Sequence, residues 1–197
     1  MSESRSVPPR KRPNREVRGR EYLTSDEVER LRRACLVLGR HPERDAALVL
    51  LGFRHGLRVS ELCGLRWDQV DLVRKTLYIR RLKGSRNGTH DLGRSEVRAL
   101  MRLDRLNAGR SAWVFASERG GSLSRWAVDK ILRRAGAYCD PPIVVHAHML
   151  RHACGYHLIN DGYSTRRVQD HLGHRSIAHT ERYTELAPDR GPKLFED

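Results

Sequence analysis

Between His146 and Tyr183 the chain runs HAHMLRHACGYHLINDGYSTRRVQDHLGHRSIAHTERY, and four of its side chains could act on one substrate. They are His148, Arg151, His174 and Tyr183: two imidazoles, a guanidinium and a phenol. His148 and Arg151, at i and i+3, share one face of a helix. A phosphodiester would use all four. Its oxygens are anionic, so a guanidinium can fork onto them and neutralise charge that grows in the transition state. One imidazole can shuttle the nucleophile's proton or hold a phosphate oxygen, and the other can add a further donor. A phenol with an ordinary pKa near ~10 becomes a usable nucleophile in so positive a surround.

Turn-forming residues divide this stretch into three short helices. Gly162 suits the end of the first, and Ser164 or Thr165 the cap of the second. Gly173 would end the second and leave His174 on a turn, and Ser176 is placed to cap the third, which carries Tyr183. Two chain reversals could then fold Tyr183 back toward Arg151.

Upstream, Thr24 to Glu27 reads as a capping box, followed by Val28, Leu31, Cys35 and Leu38 at helical spacing and a stop at Gly39. Pro42 opens a second helix whose apolar residues are too broadly spread for a surface element, which implies a central, buried position, with Gly56 as its stop. Ser60 is placed to cap a short helix carrying Glu61, Leu62 and Leu65, with Arg58 just before it. Residues 76–82 (TLYIRRL) and 89–92 read as two strands of a hairpin whose turn follows Lys83. Ser95 to Leu106 is a helix, Trp113 to Phe115 could add a strand, and Ser122 to Ser124 precede a helix with Trp126, Val128, Ile131, Leu132 and Ala135. Pro141 and Pro142 then begin an extended link. The fold class expected is mainly α with a small antiparallel β-hairpin or sheet (α+β). Residues 1–20 form a basic tail expected to be disordered when free, and 21–197 one domain.

The 197 residues hold 38 Lys+Arg against 24 Asp+Glu, a formal charge of +14, which points to a polyanionic partner, most simply double-stranded DNA. No apolar run approaches the ~20 residues of a membrane span, and the N-terminus lacks the apolar core of a secretory signal. A cytoplasmic, nucleoid-associated protein is expected, with no membrane partner. Cys35, Cys63, Cys139 and Cys154 are scattered, with no C-x-x-C pair, and read as reduced thiols. His148 and His152 at i, i+4 could hold a metal, but no acidic residue or cysteine completes a zinc pattern, so neither metal nor cofactor is expected. His152 and His157 read as packing or surface groups.

The motifs HMLRH at 148–152, LGH at 172–174 and Tyr183 nine residues on resemble the C-terminal boxes of the tyrosine recombinases, the phage integrase family. GLRVSELCGLRW resembles the box that supplies that family's first arginine, here Arg58, and LYIRRLKGSRNGTHDL its hairpin box, with Lys83 at the hairpin lysine. The resemblance implies a catalytic set of Arg58, Lys83, His148, Arg151, His174 and Tyr183. It implies that Lys83 protonates the departing 5′-oxygen, that Tyr183 forms a 3′-phosphotyrosine link, and that rejoining needs neither ATP nor metal. Glu61 is placed to buttress Arg58 by a salt bridge. A tetramer on paired sites is a further implication.

YLTSDEVERL, the hairpin and HMLRHACG are closest to the short members that invert fimbrial promoter segments and lack the usual N-terminal clamp domain. DNA held from one face would lean on the tail, on contacts between protomers and on accessory bending proteins, with affinity falling steeply in salt. Candidate phosphate contacts are Arg10, Lys11 and Arg12 in the tail (or these merely solubilise), Arg80 and Arg81 beside the hairpin lysine, and Arg175. Asp91 stands where the family usually has a proline, which alters a strand end. The rival function is a non-catalytic DNA-binding regulator that kept the fold. A topoisomerase-like relaxing enzyme would use similar chemistry without site specificity.

Overall fold

The computed structural model describes residues 21–81 and 85–184. The basic tail with Arg10, Lys11 and Arg12, and the hairpin tip with Lys83, lie outside the described residues. Helix α1, Ser25–Val37, starts at the expected capping box: Thr24 Oγ1 accepts from the Glu27 N–H, and the Glu27 carboxylate accepts from the Thr24 N–H at 2.8 Å. Its buried stripe of Val28, Leu31, Ala34 and Cys35 packs on α2, Pro42–Arg54. In α2, Ala46, Ala47, Leu48, Val49, Leu51, Gly52 and Phe53 are all buried, so this helix passes through the core as its all-round apolar surface requires. It meets α1, α4 (Arg94–Asn107) and α6 (Ala147–Asn160).

Three short strands follow the short helix α3, Val59–Cys63. β1 (Val70–Asp71), β2 (Thr76–Ile79) and β3 (Gly88–Asp91) form an antiparallel sheet in the order β1-β2-β3. The hairpin pairs Leu77 with His90 and Ile79 with Gly88, so β2 ends sooner than the expected run to residue 82, and β1 was not anticipated. Residues 113–115 make no strand. Trp113 forms a single bridge to Arg66, and Val114 N–H donates to Leu65 O at 2.9 Å.

Helix α5, Arg125–Tyr138, is capped by Ser124, whose hydroxyl accepts from the Ala127 N–H. The last three helices are α6, α7 (Thr165–Leu172) and α8 (Ala178–Thr184). Of the two candidate caps for α7, Ser164 does the work, accepting from Arg167 N–H, and Gly173 closes the helix in the left-handed region at φ +67. Two caps differ from expectation. Ser60 lies inside α3, because Arg58 is the N-cap residue and the Glu61 carboxylate accepts from its N–H at 2.8 Å. The Ile177 carbonyl, rather than Ser176, receives the first amides of α8, from Thr180 and Glu181. The four cysteines are free and buried. Among the described residues, no helix is long and apolar enough to cross a membrane.

Candidate active site

The arginine end of the site is built on the turn between α2 and α3. Arg58 begins α3, and its side chain is about a quarter exposed, at 26%. Its Nη1 donates to Glu61 Oε1 at 2.9 Å and its Nη2 to Ser85 Oγ at 3.0 Å, so Glu61 does buttress it. Glu61 itself is buried. Burial alone would raise its pKa, but the charges of Arg81 and the hydrogen bonds from Arg58 and Arg81 bring it below the usual carboxylate range.

Arg151 comes from α6, and only 2% of it is exposed. It donates to Gly56 O at 2.5 Å and to Leu172 O at 2.8 Å, tying the α2–α3 turn to the end of α7. Burial, with Arg81 and Arg58 close by, lowers its pKa to about 10, which leaves it charged at neutral pH. The Tyr183 phenol is near enough to act electrostatically on it in the opposite sense.

Tyr183, on α8, is buried with 2% exposed. Its ring lies edge-on to His152 and Tyr156, with centroids at 5.7 and 5.2 Å, and stacks beside His174 at 6.4 Å. Gly155 makes the seat possible: a Cβ there would stand 2.6–2.8 Å from three ring carbons of Tyr183. His174 holds Thr180 Oγ1 through Nδ1 at 2.8 Å, which fixes the turn that leads into α8. His148 is exposed on α6, its ring edge-on to His152 at 4.4 Å. His148, His152 and Tyr183 therefore form a continuous row of rings.

The structure thus gathers Arg58, Arg151, His174 and Tyr183 from four elements, with His148 reaching the group through His152. Sequence reasoning set His152 aside as a packing or surface group. It lies between two predicted site residues, and its i+4 spacing from His148 was the available signal. Arg80 and Arg175 are exposed.

Arg81 is a correction. Its side chain is 1% exposed, and its guanidinium is consumed inside the protein by Glu61 and by the carbonyls of His55, Gly56 and His171. Unlike Arg151, which holds only neutral carbonyls, Arg81 has its charge already matched by the Glu61 carboxylate. Proximity to Lys83 in sequence suggests a phosphate contact, but the chain just past β2 carries this side chain inward.

Behind the arginines lies a second unanticipated cluster. His55 Nδ1 meets His90 Nδ1 at 3.1 Å, and His55 Nε2 faces Glu96 Oε1 at 2.7 Å. His171 packs on His90 with ring centroids at 4.3 Å and bonds Arg54 O through Nε2 at 3.0 Å. Burial, then the neighbouring imidazoles and Arg81, push His90 down to about 2; burial first also takes His171 down to about 4. Among the described residues no group of His, Cys, Asp or Glu is arranged to hold a metal ion. A recess of about 520 Å³ beside the start of α2 and the 113–120 loop contains none of the predicted catalytic residues.

Comparison with known proteins places the chain in a family. The family model described as the phage integrase family matches residues 21–190. The chain is 43% identical over 169 residues to the type 1 fimbriae regulatory protein FimB of Escherichia coli strain K12, covering 84% of each. It is 42% identical over 182 residues to FimE of the same strain, covering 90% of this chain and 91% of the relative. Among solved structures, XerA recombinase superposes with a TM-score of 0.74 at 29% identity, over 84% of this chain and 60% of that one. The XerH recombinase bound to difH shares the fold with a TM-score of 0.72 at 20% identity, over 84% of this chain and 50% of that one. The chain spans about half to three-fifths of those recombinases, whereas it spans most of the fimbrial relatives. It belongs to the phage integrase family and is, by that membership, a tyrosine-type site-specific DNA recombinase.

Proposed function

We propose that Tyr183 Oη attacks a DNA phosphate gripped by Arg58 and Arg151. The new bond joins Oη to phosphorus, and the bond from phosphorus to the 5′-oxygen breaks. His148 takes the phenol's proton or holds a phosphate oxygen, His174 donates to the phosphate, and Lys83 protonates the departing oxygen. The product is a 3′-phosphotyrosine and a free 5′-hydroxyl. Attack by a 5′-hydroxyl reverses the step without ATP or metal, because the phosphoester bond is kept rather than hydrolysed.

The observation that carries this reading is that Arg58 and Arg151 are fixed to one turn, Arg58 by Glu61 and Arg151 by Gly56 O, with Tyr183 in electrostatic reach. That is a preorganised anion site beside a phenol. The full set of residue types favours catalysis over a regulator that only binds DNA. The similarity to fimbrial relatives across nearly their whole length favours inversion of a short DNA segment over integration or excision. Exchange at two sites would need four protomers, with DNA-bending proteins assisting. A cytoplasmic protein that works on the nucleoid fits this role.

The test uses nicked duplexes selected from a randomised pool by trapping with the wild-type protein. Wild type is expected to accumulate as a covalent protein–DNA complex, and Tyr183→Phe to bind without linking. A covalent complex formed by Tyr183→Phe removes Tyr183 as nucleophile.

A further inference from the structure

We propose that Arg81 is a positioning residue of the recombination site, a buried guanidinium that sets where Arg58 and Arg151 stand without touching DNA. The inference rests on the assignment of those two arginines to the phosphate.

Three observations carry it. The first is connectivity. Arg81 Nη1 donates to Glu61 Oε2 at 2.9 Å, the oxygen that also accepts the Arg58 N–H, while Oε1 holds the Arg58 guanidinium. Arg81 Nη1 also meets Gly56 O at 3.4 Å, the carbonyl that Arg151 uses. Arg81 Nη2 donates to His55 O at 3.2 Å and to His171 O at 2.7 Å, next to the Leu172 carbonyl held by Arg151. One side chain thus joins the supports of both phosphate-gripping arginines and of the α7 end that leads to His174.

The second observation is packing. Gly173 lies against the Arg81 stem, and a Cβ there would stand 3.1 Å from Arg81 Nε and 2.8 Å from Arg86 O. The residue that ends α7 in the left-handed region is therefore also the one that lets Arg81 through. The third is cost. Burying a guanidinium is expensive, and a hydrophobic residue often stabilises such a place as well or better. What a hydrophobe cannot do is share the charge of the Glu61 carboxylate. With Arg81 gone, Arg58 is the cation left bonded to that carboxylate, and its guanidinium charge is neutralised there instead of being kept for the phosphate. The Arg81 N–H also donates to Asn87 Oδ1 at 2.8 Å, which ties the end of β2 to the residue before β3.

The experiment compares Arg81→Met and Arg81→Lys with wild type on a nicked duplex selected from a randomised pool. Single-turnover covalent trapping is measured at saturating DNA, and affinity is measured across a salt titration. The expected result is a trapping rate lower on the order of 10- to 100-fold for both variants, with affinity and salt slope unchanged. Lysine does not rescue, because one ammonium cannot fork to a carboxylate and three carbonyls. Three results would overturn the proposal: wild-type trapping rates, a loss of affinity that accounts for the loss of trapping, or a salt slope reduced by about 0.9 as for a lost phosphate contact. Loss of cooperative thermal unfolding in both variants overturns it too, since Arg81 is then needed for the fold and not for the site. Failure of the catalytic reading is distinct: it shows as Tyr183→Phe linking to DNA, or as Arg58→Ala and Arg151→Ala trapping at the wild-type rate.

Discussion

The arginine end and the tyrosine end of the site are held in place by different forces. Arg58, Arg81 and Arg151 are locked by charge-assisted bonds to Glu61 and, for Arg81 and Arg151, to main-chain carbonyls on two separate segments. Such bonds are directional and strong where water is excluded. Tyr183 sits in a nest of rings from His152, Tyr156 and His174, over a glycine, on a helix of seven residues. Ring pairs of that kind also have preferred geometries, but each contributes less than a charge-assisted bond in a dry interior. The difference suits the chemistry. In the proposed mechanism the phosphate's charge needs donors that do not reorganise, whereas Tyr183 must approach one phosphate and later yield to a 5′-hydroxyl.

If this contrast is right, damage at the two ends should look different. The largest effect after loss of the nucleophile is expected from Arg151→Ala, which should lower covalent trapping by about 10²–10³-fold, the range seen when one preorganised donor is removed. Thermal unfolding of the same variant should show a lower Tm, because the Gly56 and Leu172 carbonyls lose their donor. At the tyrosine end, Gly155→Val should displace the Tyr183 ring and cost about 1–3 kcal/mol of stability through overpacking. Trapping should fall in that variant while DNA affinity stays near wild type. Unchanged trapping would show that the ring's seat in this structure has no part in positioning it.

The histidine cluster behind the arginines gives a milder test through pH. Half-buried His90 and His171 have folded pKa values of about 2 and about 4, below the ~6.5 of an unfolded chain. The unfolded chain therefore binds more protons as pH falls through 6.5, so the stability due to these neutral imidazoles is full above that pH and declines toward about pH 4. Melts recorded across that window should show His171→Gln losing less stability with acidification than wild type; parallel curves would exclude the cluster as the source. The smallest structural consequence belongs to salt. DNA affinity should decline log-linearly with salt, and Arg175→Ala should reduce the slope by about 0.9, since Arg175 is exposed.

Much of this was legible in the chain because it depends on near neighbours. The capping box at Thr24, the all-round apolar α2, the stop at Gly173 and the cap at Ser164 are properties of a few adjacent residues. The pairing of Glu61 with Arg58 was readable for the same reason, as an i, i+3 contact at a helix start. Short elements were read less well. The two-residue β1 has too little pattern to detect, and the 113–115 run is apolar because it is buried and not because it pairs as a strand. The two arginines before the hairpin lysine look alike in sequence, yet one is exposed and the other is sealed inside.

By itself, then, the amino-acid sequence determined the chemistry on offer: basic groups, imidazoles and a phenol in family order, under a charge of +14 that calls for a polyanion. It also determined where most helices begin and end, since caps and apolar periodicity act over a few residues. Only the tertiary structure decided which of two neighbouring arginines is exposed and which is sealed inside, and that three distant histidines meet beside Glu96. It alone seated Tyr183 on a bare glycine. Those outcomes depend on burial and on carbonyls contributed by segments far apart in the chain, and local sequence carries no record of which distant groups will share one dry interior.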